Sequence, residues 1–452
     1  MRHSLKIIFP FLGAAWLGLA ALAATPETKP PSVKVVTASA ETSNVRRARP
    51  SFAEFDQRAK AGDRLVVVFF GASLSWGANA TDPQLTSYRA RIAQRLDAEY
   101  PKAHFTFRDA AIGGTGSQLG VFRLDRDVLR HKPDLVFLDF SANDGINETT
   151  PESLGAYESL LRRIINEAHT PVVQVIFPFG WDAKGADFNK MKRRTAHIAL
   201  ANAYGTTVGD AIGLAVERLS AGAVTLEQLW PLDLVHPGDA GYQLFADAAW
   251  AAYQDGVERK VVCAVPERML NPDTFLKQTR VRISTLGELP AGWRKGAPNR
   301  TSAYYDMLMS RWLDDEVIAS NRLETKDAEG KKTFTPQQVA RLKVSFRGTT
   351  VLLFGEGTTK AAKYRAYIDG RLVERMLPHA SEPLREFDSA SIAARSNGNT
   401  HHVALISENL AADKEHTLEI EPILAPEIEQ ELRIESICVA GGEAKVFPFS
   451  AK

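Results

Sequence analysis

The sequence predicts an α/β domain with a parallel sheet, followed by an antiparallel β-sandwich. Between about residues 53 and 253, near-continuous apolar runs alternate with amphipathic stretches. This is the pattern of parallel strands that are covered by helices on both faces. After about residue 257 the runs become short and alternating, which is typical of antiparallel strands. A chain of 452 residues is too long for one ordinary core, so a division into domains is expected.

Five apolar runs in the first half are predicted to be buried strands, namely Leu65–Phe70, Phe105–Ala110, Leu135–Phe140, Val172–Phe177 and Thr206–Val208. Between them, apolar residues recur every three or four positions, as from Leu85 to Tyr100 and from Leu154 to Ile165, which predicts amphipathic helices. Pro151 suits the first turn of the second of these helices. In such sheets, ligands bind beyond the carboxyl ends of the strands.

The second half contains six strand-like runs, namely Leu342–Phe346, Thr350–Phe354, Tyr364–Ile368, His402–Ile406, His416–Ile420 and Leu432–Val439. Asp369-Gly370 predicts a hairpin turn after the third of them. Residues 266–321 are ambiguous and are expected to combine a linker with a first strand or two. We therefore expect the α/β domain at residues 53–257 and a jelly-roll-like β-sandwich at residues 258–452.

The first residues are typical of a secretory signal peptide. Arg2, His3 and Lys6 precede an apolar run from Ile7 to Ala20, and Ala21-Leu22-Ala23 is a small-residue cleavage site. We expect a signal peptide at residues 1–24, a flexible leader at 25–52, and a periplasmic or secreted protein with no membrane anchor after cleavage. An uncleaved anchor is the alternative, but the run is short and ends in small residues.

Charge and cysteine content limit the partners of this chain. A net charge of +1 provides no long-range attraction to nucleic acid. Two cysteines, Cys263 and Cys438, cannot form a zinc site alone. In an oxidising compartment they could form a disulfide that closes the second domain, whereas two free, buried thiols are the alternative.

The segment Gly71-Ala72-Ser73-Leu74-Ser75 follows the first predicted strand. A turn of small residues at the end of a strand lifts a side chain out of the sheet, where a substrate can reach it. Ser73 is therefore a candidate nucleophile. Taken alone, such a segment is far more often a plain turn, because Gly and Ser commonly end strands.

Three further segments complete a candidate site. Gly113-Gly114 follows the second strand, where glycine lets a backbone N–H approach a reacting atom; a phosphate cradle is the weaker alternative. Asn143 follows the third strand and could donate from its amide, although Asn-Asp-Gly can also be only a turn. Asp233 precedes His236 by three residues in a loop, so its carboxylate could orient the imidazole.

The order of Ser73, Gly114, Asn143, and Asp233 with His236 resembles the SGNH (GDSL-type) hydrolase superfamily over about residues 62–253. The resemblance implies a flavodoxin-like three-layer fold with a five-stranded parallel sheet. It implies a Ser73 nucleophile, a His236 base, an Asp233 orienting acid, and an oxyanion hole formed by Ser73, Gly114 and Asn143. The sequence departs from the family pattern at Ala72, where an Asp is usual, and at Asp109, where an Asn is common. Gly114 is chosen over Gly113 by the usual spacing.

This resemblance implies acyl transfer to serine without a metal or organic cofactor. The expected export and the second β domain favour an acetyl ester on a poly- or oligosaccharide as the substrate. Trp76 and Trp181 could stack on a sugar or line an acyl pocket, although core or rim packing is the more frequent role of such residues. The alternatives are a lipase, thioesterase or arylesterase of the same superfamily, or a non-catalytic glycan-binding protein on a hydrolase scaffold.

Overall fold

The structure, a computed structural model, describes residues 49–299, 311–376, 381–390 and 400–449. The predicted signal peptide at residues 1–24 lies outside the described residues, as does the predicted leader up to residue 48. In the part of the chain that the structure describes, no helix is both long enough and apolar enough to cross a bilayer.

The α/β part contains five parallel strands, which are β1 (Arg64–Gly71), β2 (His104–Ala111), β3 (Leu135–Leu138), β4 (Val172–Val175) and β5 (Thr207–Gly209). Their order in the sheet is β2-β1-β3-β4-β5. The five apolar runs of the sequence therefore form the predicted parallel sheet. Two of them, β3 and β4, end two residues earlier than predicted, and the segments that follow enter the candidate site.

Ten α-helices accompany this sheet, which are α1 (Phe52–Ala61), α2 (Ser73–Trp76), α3 (Tyr88–Glu99), α4 (Ser117–Asp127), α5 (Pro151–Glu167), α6 (Gly180–Ala183), α7 (Lys192–Tyr204), α8 (Ala211–Ser220), α9 (Leu226–Leu229) and α10 (Asp239–Glu258). Short 3-10 helices cover Leu129–His131, Thr274–Leu276 and Ile283–Thr285. Helix α5 begins at Pro151 as predicted, with Thr150 and Ser153 forming a capping box. Leu85 was expected in α3, but it precedes the Ser87 cap and is exposed.

Adjacent side chains on β1 show that helices cover both faces of the sheet. The Phe69 ring packs edge-on against Tyr88 of α3, with ring centroids 5.8 Å apart. The next ring, Phe70, lies 4.5 Å from the Arg123 guanidinium of α4. Since successive side chains of a strand point to opposite faces, α3 and α4 lie on opposite sides of the sheet. This is the predicted three-layer arrangement.

The C-terminal strands are β6 (Gln278–Arg282), β7 (Trp293–Gly296), β8 (Glu316–Ser320), β9 (Arg322–Lys326), β10 (Lys332–Pro336), β11 (Leu342–Arg347), β12 (Thr350–Gly357), β13 (Lys363–Ile368), β14 (Arg371–Leu372), β15 (Phe387–Asp388), β16 (Thr400–Ser407), β17 (His416–Ile423), β18 (Glu431–Ala440) and β19 (Lys445–Val446). One antiparallel sheet has the order β14-β13-β17-β11-β19, with β15 on β13. The other has the order β16-β12-β18-β8-β7, with β6 on β18. Strands β9 and β10 form a separate hairpin.

The two antiparallel sheets form a β-sandwich, as the sequence predicts. All six predicted runs are strands, and β13 and β14 form the predicted hairpin, in which Ile368 pairs with Arg371. Its turn residues, Asp369 and Gly370, both have positive φ angles, of 52° and 78°, as a two-residue turn of this kind requires. The ambiguous segment 266–321 contributes three strands, β6, β7 and β8, instead of one or two.

Strand β12 is buried on both faces, which joins the sandwich to the α/β part. Val351 and Leu353 belong to the core between the two antiparallel sheets. Leu352 and Phe354 belong to the cluster that also contains the α/β core. The alternating side chains of one strand therefore belong to two cores, and this explains why residues 351–354 of β12 are all apolar.

The two cysteines are free, buried thiols, so the disulfide considered from the sequence is not formed. Cys263 follows α10, where its N–H donates to the Pro50 carbonyl at 2.7 Å. Cys438 lies within β18, where it pairs with Leu352 and Arg280 of neighbouring strands. Burial raises the pKa of both thiols to about 12. The structure therefore agrees with the alternative of two free, buried thiols.

Candidate active site

Ser73 begins the short helix α2, immediately after β1 and Ala72. Its side chain is buried, and its Oγ lies 3.0 Å from Nε2 of His236. The turn is tight because Gly71 has no Cβ. A Cβ at that position would lie 2.2 Å from Ser75 Oγ and 2.6 Å from the Asp139 carbonyl oxygen. The small residues of the predicted segment therefore allow α2 to start directly above the sheet.

Asp233 and His236 lie in the loop between α9 and α10. Asp233 Oδ1 accepts the N–H groups of Val235 and His236, both at 2.7 Å. Asp233 Oδ2 faces His236 Nδ1 at 3.8 Å, which is an ion-pair distance and longer than a hydrogen bond. The imidazole therefore lies between the Asp233 carboxylate and the Ser73 hydroxyl, which is the order of a nucleophile, a base and an orienting acid.

The two titratable groups of this loop are suited to complementary roles. Burial lowers the pKa of His236 below its usual range, although Asp233 opposes this shift. Burial alone would raise the pKa of Asp233, but hydrogen bonds from the His236 N–H, the Asn79 amide and the Val235 N–H outweigh it and lower the pKa. At neutral pH the imidazole is therefore neutral and able to accept a proton, while the carboxylate is charged.

The loops that contain Gly114 and Asn143 leave the sheet beside Ser73. In the register of the sheet, Gly71 pairs with Ala111 and Phe70 with Leu138, so β1, β2 and β3 end at one level. Gly114 has a φ of +70°, a left-handed conformation that favours glycine. The Asn143 loop is fixed to the Gly loop, because Asp144 Oδ1 accepts the Ser117 N–H of α4 at 2.9 Å.

A buried carboxyl group next to the Ser73 turn was not predicted from the sequence. Asp139 directly follows β3 and accepts a hydrogen bond from Ser75 Oγ at 3.0 Å and a longer one from Ser141 Oγ at 3.5 Å. Burial raises the pKa of Asp139 to about 7. Ser141 Oγ also accepts the Phe177 N–H at 2.8 Å, so this network connects α2 with the ends of β3 and β4. A carboxylate at the end of an apolar strand was the sequence signal that could have identified it.

Asn79 is a second residue that the sequence analysis missed. Its amide donates to Asp233 Oδ2 at 2.9 Å, so it contacts the carboxylate of the candidate acid directly. It follows the nucleophile by six positions, in a segment without a helical or strand pattern. Only its closeness in sequence to Gly77 indicated a turn there, and nothing in the sequence connected that turn with Asp233.

The two predicted aromatic residues differ in exposure. Trp181, in α6, is 49% exposed and packs against Phe179 with ring centroids 4.7 Å apart. Leu232 and Leu234 of the His236 loop are also exposed, and the Leu234 carbonyl accepts the Gly180 N–H at 2.7 Å. Trp76 is half-buried behind the nucleophile. An apolar surface of Trp181, Leu232 and Leu234 therefore adjoins the candidate site.

The two departures from the family pattern have structural explanations. Ala72 is fully buried, so an Asp there would be a buried charge. Asp109 accepts the Ala111 N–H at 3.0 Å and forms an ion pair with Arg311 at 3.3 Å. The carboxylate therefore stabilises the end of β2 and contacts the C-terminal part of the chain.

Comparisons with known proteins agree with this fold. A two-domain esterase (CEX) active on acetylated mannans has 21% identity and a TM-score of 0.65, covering 86% of this chain and 94% of that chain. The same esterase co-crystallized with mannopentaose gives 21% identity and a TM-score of 0.63 over the same shares. This similarity extends through both the parallel sheet and the β-sandwich. A comparison with curated proteins found no match.

A family model gives the more specific assignment. The GDSL-like lipase/acylhydrolase family model matches residues 69–244, which extend from β1 into α10 and contain Ser73, Gly114, Asn143, Asp233 and His236. The parallel sheet and its strand-end loops lie within or next to this match. The α/β part of this chain is therefore similar to the GDSL-like lipase/acylhydrolase family, and it is followed by a β-sandwich.

Proposed function

We propose that this protein is an exported esterase that removes acetyl groups from carbohydrate through Ser73, His236 and Asp233. The observation that carries the proposal is the 3.0 Å contact between Ser73 Oγ and His236 Nε2, with Asp233 on the opposite side of the imidazole. A serine next to a neutral, oriented imidazole is the arrangement that activates a hydroxyl for attack on an ester carbonyl.

In the first half-reaction, Ser73 Oγ attacks the acetyl carbonyl carbon while His236 Nε2 takes the hydroxyl proton. The tetrahedral intermediate then collapses, the ester C–O bond breaks, and the imidazolium returns the proton to the leaving sugar oxygen. In the second half-reaction, His236 activates a water molecule that attacks the acetyl-enzyme. Acetate leaves, and Ser73 regains its proton.

The proposed oxyanion hole uses the backbone N–H groups of Ser73 and Gly114 and the side chain of Asn143. This assignment is supported by the position of the three loops at the ends of β1, β2 and β3. Preorganised donors of this kind stabilise charge that develops only during the reaction. We expect Asn143→Ala to lower kcat by about 10²- to 10³-fold with little change in KM.

An acetylated poly- or oligosaccharide is the proposed substrate. The support is the sequence pattern of export in residues 1–24, the C-terminal β-sandwich, and the fold shared with an esterase active on acetylated mannans. Trp181 is the proposed sugar-binding platform, because a half-exposed indole beside the site can stack on a sugar face. Trp76, which is less accessible, is proposed to line the site from behind the nucleophile.

Acetate release from acetylated mannan, acetylated xylan and acetylated oligosaccharides tests the proposal, with Ser73→Ala as the matched variant. We expect release by the wild-type protein and a loss of at least about 10³-fold in Ser73→Ala, because the nucleophile is absent. Full activity of folded Ser73→Ala would contradict the mechanism. Labelling of Ser73 by a fluorophosphonate distinguishes an esterase from a non-catalytic glycan-binding protein, which would not react.

A lipase, thioesterase or arylesterase activity is the second candidate, and one observation favours it. Leu232 is 75% exposed beside the site, and an apolar surface of this kind suits a longer acyl chain. A series of p-nitrophenyl esters from acetate to decanoate separates the two. We expect kcat/KM to fall steeply beyond acetate, whereas a maximum at longer chains would favour the second candidate.

A further inference from the structure

Asn79 connects the segment after the nucleophile with the loop of the catalytic acid. Its Nδ2 donates to Asp233 Oδ2 at 2.9 Å and to the His236 carbonyl oxygen at 3.4 Å. Asp233 Oδ2 is the same oxygen that faces His236 Nδ1 at 3.8 Å. The other carboxylate oxygen, Oδ1, already accepts two backbone N–H groups. Asn79 is therefore the side chain that holds the oxygen on which the orientation of the imidazole depends.

The backbone of Asn79 is held in an uncommon conformation. Its φ is +67°, in the left-handed region that is accessible mainly to Gly, Asn and Asp. The chain is fixed on both sides, because Tyr242 OH donates to the Ala78 carbonyl at 2.6 Å and the Thr81 N–H donates to Asp239 Oδ1 at 2.9 Å. Both contacts come from α10, which follows the His236 loop. Such a conformation persists only where the surrounding structure enforces it.

The carboxylate of Asp233 is partly accessible to water. Its side chain is 41% exposed, so water competes for Oδ2. Without the Asn79 amide, the two N–H groups on Oδ1 would still hold one oxygen, but the carboxylate could rotate about that anchor and turn Oδ2 away from the ring. A hydrogen bond to a charged group is the stronger kind and is well suited to prevent that rotation.

We propose that Asn79 is a positioning residue for the Ser73–His236–Asp233 chemistry, because its amide fixes the Asp233 carboxylate with Oδ2 towards His236 Nδ1. The inference rests on the proposed function and adds a residue to it. The hydrogen bonds of the Asn79 amide go to the Asp233 carboxylate and the His236 carbonyl oxygen, so Asn79 acts through Asp233. A turn residue with an incidental hydrogen bond is the competing explanation.

Two substitutions distinguish the contribution of the Asn79 side-chain amide from that of its left-handed backbone conformation. Asn79→Gly keeps the left-handed conformation and removes the amide, while Asn79→Asp keeps the size and replaces the donor by a second carboxylate. For p-nitrophenyl acetate, we expect Asn79→Gly to lower kcat by about 10- to 100-fold, the range of one hydrogen bond to a charged group, with KM within about twofold. We expect Asn79→Asp to lower kcat by at least the same factor, because the new carboxylate and that of Asp233 repel each other.

Asn409→Gly is the matched control. Asn409 is exposed and also left-handed, with a φ of 58°, so this substitution makes the same change of residue type in the same conformation, but in the sandwich part of the chain. We expect its kcat to equal that of the wild type. Melting temperatures of both Gly variants verify that the proteins remain folded at the assay temperature.

A double-mutant cycle with Asp233→Asn decides between positioning and a structural role. If Asn79 acts through Asp233, Asn79→Gly should cost less than about threefold in the Asp233→Asn background, because the carboxylate it holds is gone. An equal loss in both backgrounds, or a wild-type kcat in Asn79→Gly, would overturn the inference. Full activity in Ser73→Ala would instead contradict the proposed function, so the two failures are distinguishable.

Discussion

In the proposed mechanism, the protonation state of His236 determines at which pH Ser73 can be activated. Burial favours the neutral imidazole and lowers the pKa of His236, while the nearby Asp233 carboxylate favours the imidazolium and partly offsets this effect. The base form exists above the pKa. A lowered pKa therefore extends activity to pH values below about 6.5, the ordinary value for histidine.

We predict that kcat/KM falls only below about pH 6.5, with an acid limb that is set by His236. Asp233→Asn removes the charge that stabilises the imidazolium, so the limb should move to still lower pH, while kcat falls by up to about 10⁴-fold because the tautomer is no longer fixed. Rates of ester hydrolysis from pH 4 to 9 measure both effects.

Asp255→Asn, a half-exposed site on α10, serves as the control for this pH profile and should match the wild type. An acid limb above pH 6.5 in the wild type would mean that Asp233 dominates over burial. A limb that does not move in Asp233→Asn would mean that the group being titrated is not His236.

At the residue scale, the sequence predicts those site residues that follow strands or precede a helix in short motifs. Ser73 and His236 were identified in this way, and the structure brings them within hydrogen-bond distance. Asn79 and Asp139 were not identified, because their partners lie far away in sequence. Asn79 bonds a residue 154 positions later, and Asp139 one 64 positions earlier.

At the element scale, the turn from β1 into α2 determines where Ser73, the proposed nucleophile, lies. Gly71 allows the chain to pass close to both Ser75 and the end of β3, where Asp139 begins the next loop. A side chain at this position would separate α2 from the sheet. The nucleophile would then move relative to His236, whose loop is fixed independently by α10.

We predict that Gly71→Ala lowers both stability and kcat. The added Cβ would meet Ser75 Oγ at 2.2 Å and the Asp139 carbonyl at 2.6 Å, so α2 must shift, at a cost of about 1–3 kcal/mol. Chemical denaturation and ester hydrolysis measure the two losses. Ser75→Ala, which deletes the hydroxyl without adding volume, is the control and should retain more activity. Equal activity in Gly71→Ala and wild type would show that the close approach is not required.

Elements were predictable wherever apolar runs were long enough. Strands β1 to β5 and six of the sandwich strands follow directly from hydrophobic pattern. Strands β6 and β8 were not predicted individually, because their polar residues interrupt the hydrophobic pattern. In β8, Glu316 is fully buried and is paired with Arg433 of β18 at 3.0 Å, so it occupies a core position that the sequence marks as polar. Only the tertiary partner makes this burial favourable.

At the scale of the whole molecule, the α/β domain and the sandwich share apolar contacts. Leu352 and Phe354 of β12 lie in the same cluster as the α/β core. Polar contacts add to this, since Gln118 Nε2 donates to Glu408 Oε1 at 3.1 Å, just after the Gly114 loop. Arg126 of α4 also donates to the Trp312 carbonyl. A shared core of this kind couples the unfolding of both parts.

We predict that the described parts unfold in one cooperative transition, and the two buried thiols allow this to be measured. Cys263 follows α10 of the α/β part, and Cys438 lies in β18 of the sandwich. Both are protected by burial, so each reacts with a thiol reagent only when its own part opens. Cys263→Ala retains only Cys438, and Cys438→Ala retains only Cys263. After correction for the effect of each substitution on the free energy of unfolding, the two remaining thiols should become reactive at the same denaturant concentration.

Phe354→Ala tests whether the shared contacts are the cause of this coupling. Removal of a fully buried ring should cost about 3–5 kcal/mol and expose both thiols at a lower denaturant concentration. Phe334→Ala on the exposed hairpin is the control and should change stability by less than about 0.5 kcal/mol. Should Phe354→Ala advance the exposure of Cys438 alone, the two parts would unfold independently, and the sandwich could not stabilise the loops that carry Ser73 and Gly114.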